Sequence, residues 1–341
     1  MRKDFQSAAI LSVIILIFMI VVPSFIIKAI PVRATEEKEN EGTEVQENNY
    51  ISLSGTDTIK VYITKEDKVV DVPIEEYVKG VVSGEMPAGF EVEALKAQSV
   101  ATRTYVAAKR GRPCDIAKGG DVCDTTHCQV YIGKEERITK WEDKGQEYWD
   151  KISKAVDETK GKVLAYNKEL VLYPQFFWTS SGMTENAKDV FSSDLPYLVS
   201  TESTGEEEVA PRFNGEVKLD INKFVETINA KFQDAKLTVN NLSEQINIIS
   251  RSDAGGVKEI KVGEATVRGL DFRLAIGLNS TNFQYTISSE EIIFETKGYG
   301  HGVGMSQWGA NVMAKNGSDY SSILKHYYTG IDLEELKFNE Q

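Results

Sequence analysis

Twenty consecutive residues near the N-terminus, Ala8 to Ile27, carry no charge and are mostly Ile, Val, Leu, Phe and Ala. A helix of that length spans about 30 Å, the thickness of a bilayer's hydrocarbon core, so the run can cross a membrane. Arg2 and Lys3 precede it, whereas the fifteen residues from Thr35 to Asn49 hold six Glu and one Lys. That asymmetry predicts an inside N-terminus and an outside remainder. The chain is therefore expected to start with a cytoplasmic N-terminus (1–7), a transmembrane anchor (8–30) and an acidic tether (31–50). A cleaved signal peptide is the alternative, with Val32-Arg33-Ala34 as a poor cleavage site, and it too leaves the body extracytoplasmic. The tether is too poor in apolar residues to bury a core and is expected to stay solvated.

The body has the length for two ordinary domains, at roughly 150 residues each. A formal net charge of −13 argues against nucleic acid as a partner. Alternation from Ile59 to Ile63, a turn at Lys65-Glu66-Asp67-Lys68 and then Val69-Val70 predict a hairpin. The period then changes. Ile74, Tyr77, Val78, Val81 and Val82 share one helical face behind Pro73, with Gly84 expected to stop the helix just before Glu85. Helices are also expected from about Glu91 to Arg110, around Trp149, Ile152 and Val156, from Asp220 to Lys231 and from Tyr320 to Tyr328. The runs Val163 to Tyr166 and Leu170 to Trp178 suggest a second hairpin, turning at Asn167-Lys168. From Thr201 the composition becomes polar, with Glu202 and Glu206 to Glu208, and further strands are expected at Gln245 to Arg251, Val257 to Val262 and Ile292 to Glu295. Strands and helices do not alternate as βαβ units, so the fold class is α+β: a mixed body of helices and short strands behind the anchor. Residues 51–200 with 297–341 are expected to form one subdomain, and 201–296 a second.

Four stretches could carry chemistry. Glu85, in Gly84-Glu85-Met86-Pro87, sits between two helices, where partial burial would raise its pKa toward that of a general acid. Lys96 and Arg103 lie two turns apart on the following helix, which has no acidic residue between Ala94 and Arg110. They could hold hydroxyls, carbonyls or carboxylates of a polymer, or simply form a solvated basic face around an exposed Glu85. Cys114, Cys123, His127 and Cys128 use every cysteine in the chain and are the donor set of a tetrahedral Cys3His zinc site. The competing reading is one disulfide and a free thiol. Four protein ligands would leave no open position, so such a zinc would be structural. In Gly298 to Ala310, glycine at alternate positions permits close backbone approach and Ser306 can cap a helix. There His301 could orient a carboxyl or bind substrate, or be a packed structural histidine. Phe177 to Glu185 places hydroxyls at the end of an apolar strand, without a nucleophile elbow.

Taken in order, Gly84 to Tyr105, Phe177 to Glu185, Pro196-Tyr197-Leu198 and Gly298 to Ala310 resemble the stage II sporulation protein D family, lytic transglycosylases of spore-forming bacteria. The resemblance implies an enzyme in the cell membrane, spanning it once, with its body between the mother cell and forespore membranes. There it would cut the MurNAc-GlcNAc strands of peptidoglycan, preferably peptide-stripped ones, during engulfment, and leave 1,6-anhydro ends. Carried over by position, Glu85 is the catalytic acid and base, and Lys96, Arg103, Tyr197, Ser181, His301 and Gln307 contact substrate. The Cys114 to Cys128 loop resembles a zinc site of some members. Trp178 departs from the smaller or polar residues of relatives, and Cys114 stands where some carry histidine. Stage II sporulation proteins P and M are the partners implied. A non-catalytic activator of a cell-wall amidase is the rival role.

Overall fold

Helix α1 (Ile74–Glu85) starts directly after Pro73, on the face that the periodicity marks. It runs one residue past Gly84, because the stop comes from Pro87: Met86, the residue before it, is extended (φ −118°, ψ 144°). Glu85 thus closes the helix rather than following it. Helix α2 (Val92–Lys109) is built from small side chains and becomes the axis of the body, with 13 of its 18 residues buried. Helix α3 (Gly145–Glu158) packs on both, and helix α4 (Gln307–Lys315) packs on α2. Buried hydroxyls in α2 stay satisfied: Ser99 Oγ donates to the Leu95 carbonyl at 2.7 Å, while Thr104 Oγ1 donates to Val100 O and accepts from Leu164 N.

The computed structural model describes residues 50–191 and 193–339, which belong to one compact unit. The expected anchor and almost all of the tether lie outside them. Among the described residues no helix is long and apolar enough to cross a membrane.

Strands Thr58–Ile63 and Lys68–Pro73 form the expected hairpin, and Val122–Cys123 joins its other edge in parallel. Strand Lys162–Tyr166 pairs with Glu169–Leu170 through Asn167 and Lys168, both at positive φ (52° and 65°), as a two-residue hairpin turn requires. The second strand of that hairpin does not continue to Trp178. Pro174 interrupts it, and Phe176–Phe177 pairs instead in parallel with Met305–Ser306. A C-terminal strand, Asp332–Asn339, was not expected; it lies between Tyr50–Ser54 and Lys162–Tyr166. Its Glu334 and Glu335 hide the alternation that buries Leu336.

Residues 214–297 carry a second hydrophobic cluster. Two three-stranded antiparallel sheets and the helices Ile221–Lys231 and Gly269–Ile276 enclose Phe224, Phe272, Phe283 and Phe294. The strands expected there appear as Ile246–Arg251, Val257–Val262 and Glu291–Lys297. Glu206, in the polar stretch that begins at Thr201, is fully buried. It accepts hydrogen bonds from Thr179 Oγ1, Ser180 N, Ser180 Oγ, Ser203 Oγ and Ser306 Oγ.

Arg103 is also fully buried, at 0% exposure. Its Nε and Nη2 donate to the two Glu75 oxygens at 2.9 and 2.6 Å, and Nη1 donates to the Lys162 carbonyl at 3.0 Å. Removing one partner of such a pair strands a buried charge, so Glu75→Ala is expected to lower the unfolding free energy by about 3–5 kcal/mol in a urea titration. Lys236→Ala, at an exposed ion pair with Glu264, should leave the midpoint unchanged.

Candidate active site

Two glycines on one face of α1 create the site. A Cβ on Gly84 would stand 2.5 Å from the Val130 carbonyl oxygen, and one on Gly80 2.5 Å from the Tyr131 ring. Their absence lets the segment 129–131 lie against the helix. Val130 N then donates to Glu85 Oε1 at 2.7 Å, and the Gln307 amide also hydrogen-bonds the carboxyl. Glu85 is half-buried. Burial pushes its pKa above the ordinary glutamate value, against the opposite pull of Val130 and Gln307. The C-terminal end of α1 acts in the same direction as burial, since the helix dipole is negative there.

Glu85 lines a cleft of about 800 Å³ with Gln129, Gln307, Phe176, Phe177, Trp178 and Phe191, and with Arg212, Tyr299 and His301 from later segments. The glycine-rich loop closes around it. Gly298, Gly300, Gly302 and Gly304 all have positive φ, and a Cβ on Gly304 would meet Gln175 O at 2.1 Å. The loop therefore sits against the strand that carries Phe176 and Phe177 only because it has no side chains there. Ser306 caps α4 by accepting from Gly309 N, as expected. His301 packs between Phe177 and Phe191, at 5.7 and 5.3 Å between ring centroids, and its Nδ1 accepts from Val303 N. Burial, with the nearby Arg273 charge, pulls its pKa down to about 4, so the ring is neutral at neutral pH.

Of the expected substrate contacts, the cleft gathers His301 and Gln307 with Glu85. Lys96, Arg103, Tyr197 and Ser181 are elsewhere. Lys96 Nζ is held by Glu93 at 2.7 Å and Glu158 at 2.6 Å, and Arg103 is spent on Glu75. From Ala94 onward helix α2 has no acidic residue, but its own first turn supplies Glu93 and the neighbouring helices supply Glu75 and Glu158. Tyr197 is buried against Tyr166 at 5.6 Å. Ser181 lines a separate polar cleft with Asn214, Arg251 and Asn282. Gln129, Phe191, Arg212 and Tyr299 were not singled out in sequence. The Gly80 and Gly84 pair, four residues apart, is the signal that could have announced a close-packed segment on α1.

The four thiol and imidazole residues converge as their types suggest. Cys123 lies on the strand beside Thr58–Ile63, and His127 Nδ1 stands 3.3 Å from Cys114 Sγ, 3.9 Å from Cys123 Sγ and 3.8 Å from Cys128 Sγ. All four donor atoms lie within 4.8 Å of one another, and the three cysteines are free thiols. Tetrahedral donors around zinc, at about 2.3 Å for sulfur and 2.0 Å for nitrogen, stand roughly 3.5–3.8 Å apart, so the set fits that ion. Thr126, His127 and Cys128 also line the cleft, which makes the metal-ligand loop part of its wall.

Comparison with known proteins gives a consistent result. A family model described as "Stage II sporulation protein" matches residues 62–166. Stage II sporulation protein D of Bacillus subtilis (strain 168) is 36% identical over 280 residues, covering 82% of this chain and 79% of that protein. Stage II sporulation protein D of Bacillus amyloliquefaciens is 36% identical over 283 residues, with the same coverage of 82% and 79%. The amidase enhancer of Bacillus subtilis (strain 168) is 31% identical over 301 residues, covering 75% of this chain and 40% of that protein.

The close fit at α1 is testable by itself. Gly84→Ala should gain about 1 kcal/mol of helix propensity but lose more to the clash with Val130 O, and so lower the thermal midpoint. Gly89→Ala, where a Cβ would meet nothing within 4 Å, should not.

Proposed function

The chain belongs to the stage II sporulation protein D family, and from that membership we propose that it is a lytic transglycosylase of peptidoglycan in which Glu85 is the general acid and base. One observation carries the reading: among the described residues, Glu85 is the only carboxylate lining the aromatic cleft. Hydrolytic glycosidases generally need two carboxyl groups, one as acid and one as nucleophile or base. A lytic transglycosylase needs one, because the C6 hydroxyl of N-acetylmuramic acid is already tethered to the reacting sugar. Protonated Glu85 gives its proton to the glycosidic oxygen as the C1–O bond breaks. The C6 oxygen then bonds to C1, and the Glu85 carboxylate takes the hydroxyl proton. The product ends in 1,6-anhydro-N-acetylmuramic acid, and the acid is restored. Such proton transfers contribute about 10²- to 10⁴-fold.

In this reading the aromatic rings pack on sugar faces, and Gln307 orients the carboxyl. Cys114, Cys123, His127 and Cys128 would hold one structural zinc, whose role is to fix the loop that runs from Cys128 into Val130 and thus the N–H that meets Glu85. The N-terminal apolar run would anchor the body at the membrane beside stage II sporulation proteins P and M. A second reading, activation of a cell-wall amidase without glycan cleavage, is favoured by the similarity to the amidase enhancer.

Incubation of the purified chain alone with peptide-free glycan separates the two. Cleavage predicts anhydro ends from the wild type, a loss of at least about 100-fold in Glu85→Gln, and binding retained in that variant. Anhydro products at the normal rate from Glu85→Gln would sink the assignment. Because burial raises the Glu85 pKa, the acid form persists above the usual glutamate range, and the rate should decline on a single limb as pH rises through that value. For the metal, elemental analysis should find one zinc per chain, and stripping it with a chelator should lower the thermal midpoint. A stoichiometric disulfide in freshly purified protein would refute the site.

A further inference from the structure

Glu185 is a buried carboxyl with no part in the proposed reaction, and it is poorly satisfied. It is 5% exposed. Its Oε1 accepts from Gly256 N at 3.2 Å, and the Ser252 hydroxyl also bonds the carboxyl, but Oε2 has no partner among the described residues. Glu206, equally buried, takes five donors. Glu185 therefore lacks what lets a charge stay out of water.

The residue stands where two segments meet. On one side is the glycine-rich loop: Glu185 N donates to Gly302 O at 2.7 Å, and a Cβ on Gly302 would stand 2.7 Å from Glu185 Cγ. That loop carries His301 into the wall of the cleft. On the other side is the turn Ser252 to Gly256, between strands Ile246–Arg251 and Val257–Val262 of the second hydrophobic cluster. A Cβ on Gly256 would stand 2.3 Å from Glu185 Oε1. One side chain thus joins the cleft wall to the second cluster.

The charged groups around it give no compensation. Asp189, Lys258 and Arg268 line the adjoining cavity of about 10 Å³. Lys258 Nζ is held by Asp189 at 2.7 Å, and Arg268 Nη2 donates to the Val190 carbonyl. His301, the titratable residue of the loop, packs on Phe177 and Phe191. Burial first, and then the charges of Asp189 and of Asp253 in the turn, push the Glu185 pKa above its ordinary value, against the pull of Ser252 and Gly256. A cavity of that size holds at most about one water, so a charge on Glu185 is fully hydrated only if the segments part.

We propose that Glu185 is a pH-sensitive latch: as a neutral acid it closes the turn Ser252 to Gly256 onto the glycine-rich loop, and as a carboxylate it releases them. Release frees one wall of the cleft from the second cluster. The latch goes beyond the glycan chemistry and does not depend on it. Because the folded chain holds this proton more tightly than the unfolded one, closure is strongest in the acid form. Its contribution is lost as pH rises from the ordinary glutamate range through the raised folded value.

The full-length chain in detergent tests this, by thermal midpoint and by hydrogen exchange at the Gly256 amide. The wild type is compared with Glu185→Gln, a neutral isostere that keeps an acceptor for Gly256 N. From about pH 4 to 8 the midpoint of the variant should rise progressively above that of the wild type. With intrinsic exchange rates divided out, the Gly256 amide should lose at least about tenfold protection over that range in the wild type, the equivalent of one pKa unit, and keep it in the variant. Midpoints that differ by a constant amount across the range, or a wild-type Gly256 amide equally protected at both ends, would overturn the latch. If Glu185→Gln does not fold, the wild type decides alone. Gly256 protection must then fall with pH while that of the Thr104 amide in α2 holds, and a fall of both in step would be global unfolding and sink the idea.

Discussion

A carboxylate with no exposure to water sets the geometry of the cleft. Glu206 takes four hydroxyl donors and one backbone N–H from three separate segments, with no cation in the set. Burying such a group costs several kcal/mol unless its oxygens are satisfied, so the segments must arrive together. Thr179 and Ser180 follow the strand Phe176–Phe177 and Trp178 after it, and Ser306 precedes Gln307. The hub therefore places an aromatic side of the cleft and the amide that meets Glu85. Crowding enforces it further. A Cβ on Gly309 would stand 2.1 Å from the Tyr327 hydroxyl and 2.7 Å from Glu206 Oε1, so only glycine allows the first turn of α4 to reach the hub.

The same logic runs through the metal-ligand loop on the other side. Gly80 and Gly84 admit the 129–131 segment to α1, and four soft or borderline donors draw together just before it. Glu85 is thus addressed from two directions, by a backbone N–H from one loop and a side-chain amide from a helix start. Both supports depend on glycines whose missing Cβ atoms leave room for others: the Val130 carbonyl and the Tyr131 ring against α1, and the Tyr327, Ser203 and Glu206 side-chain oxygens against Gly309.

How much of this is legible in sequence follows from contact range. Periodicity read α1, the first hairpin and the strands after Gln245, because those patterns are local. Spacing alone brought Cys114, Cys123, His127 and Cys128 together, since one loop holds all four. The end of α1 was read one residue early, at Gly84, whereas Pro87 sets the stop and leaves Glu85 as the last helical residue. Lys96 and Arg103 were misread because their contacts are not local. Their partners Glu75 and Glu158 lie on other helices, and the absence of acidic residues from Ala94 to Arg110 says nothing about which carboxylates pack onto that stretch. The burial of Glu206 is not legible either, since Glu202 to Glu208 reads only as polar until the serines and threonine at 179, 180, 203 and 306 are brought around it. Gln129, Phe191, Arg212 and Tyr299 meet in the cleft only through the topology.

The misplaced cations also explain the chemistry better than the expected ones would. A carboxyl that is to donate a proton near neutral pH must not sit beside a positive charge, which would stabilise its ionised form. Had Lys96 and Arg103 lined the cleft, they would have drawn the Glu85 proton off. The groups that pull its pKa down are instead a backbone N–H and a neutral amide, and burial outweighs both. His301 adds no positive charge, because burial and Arg273 keep it neutral, while Arg212, a cation that does line the cleft, lies over the Tyr299 ring at 5.3 Å. Meanwhile Glu75, Glu93 and Glu158 neutralise the two cations within the packing of α2. Charge is paired where it holds helices together, which is why the net charge of the chain gives so little indication of what its cleft can do.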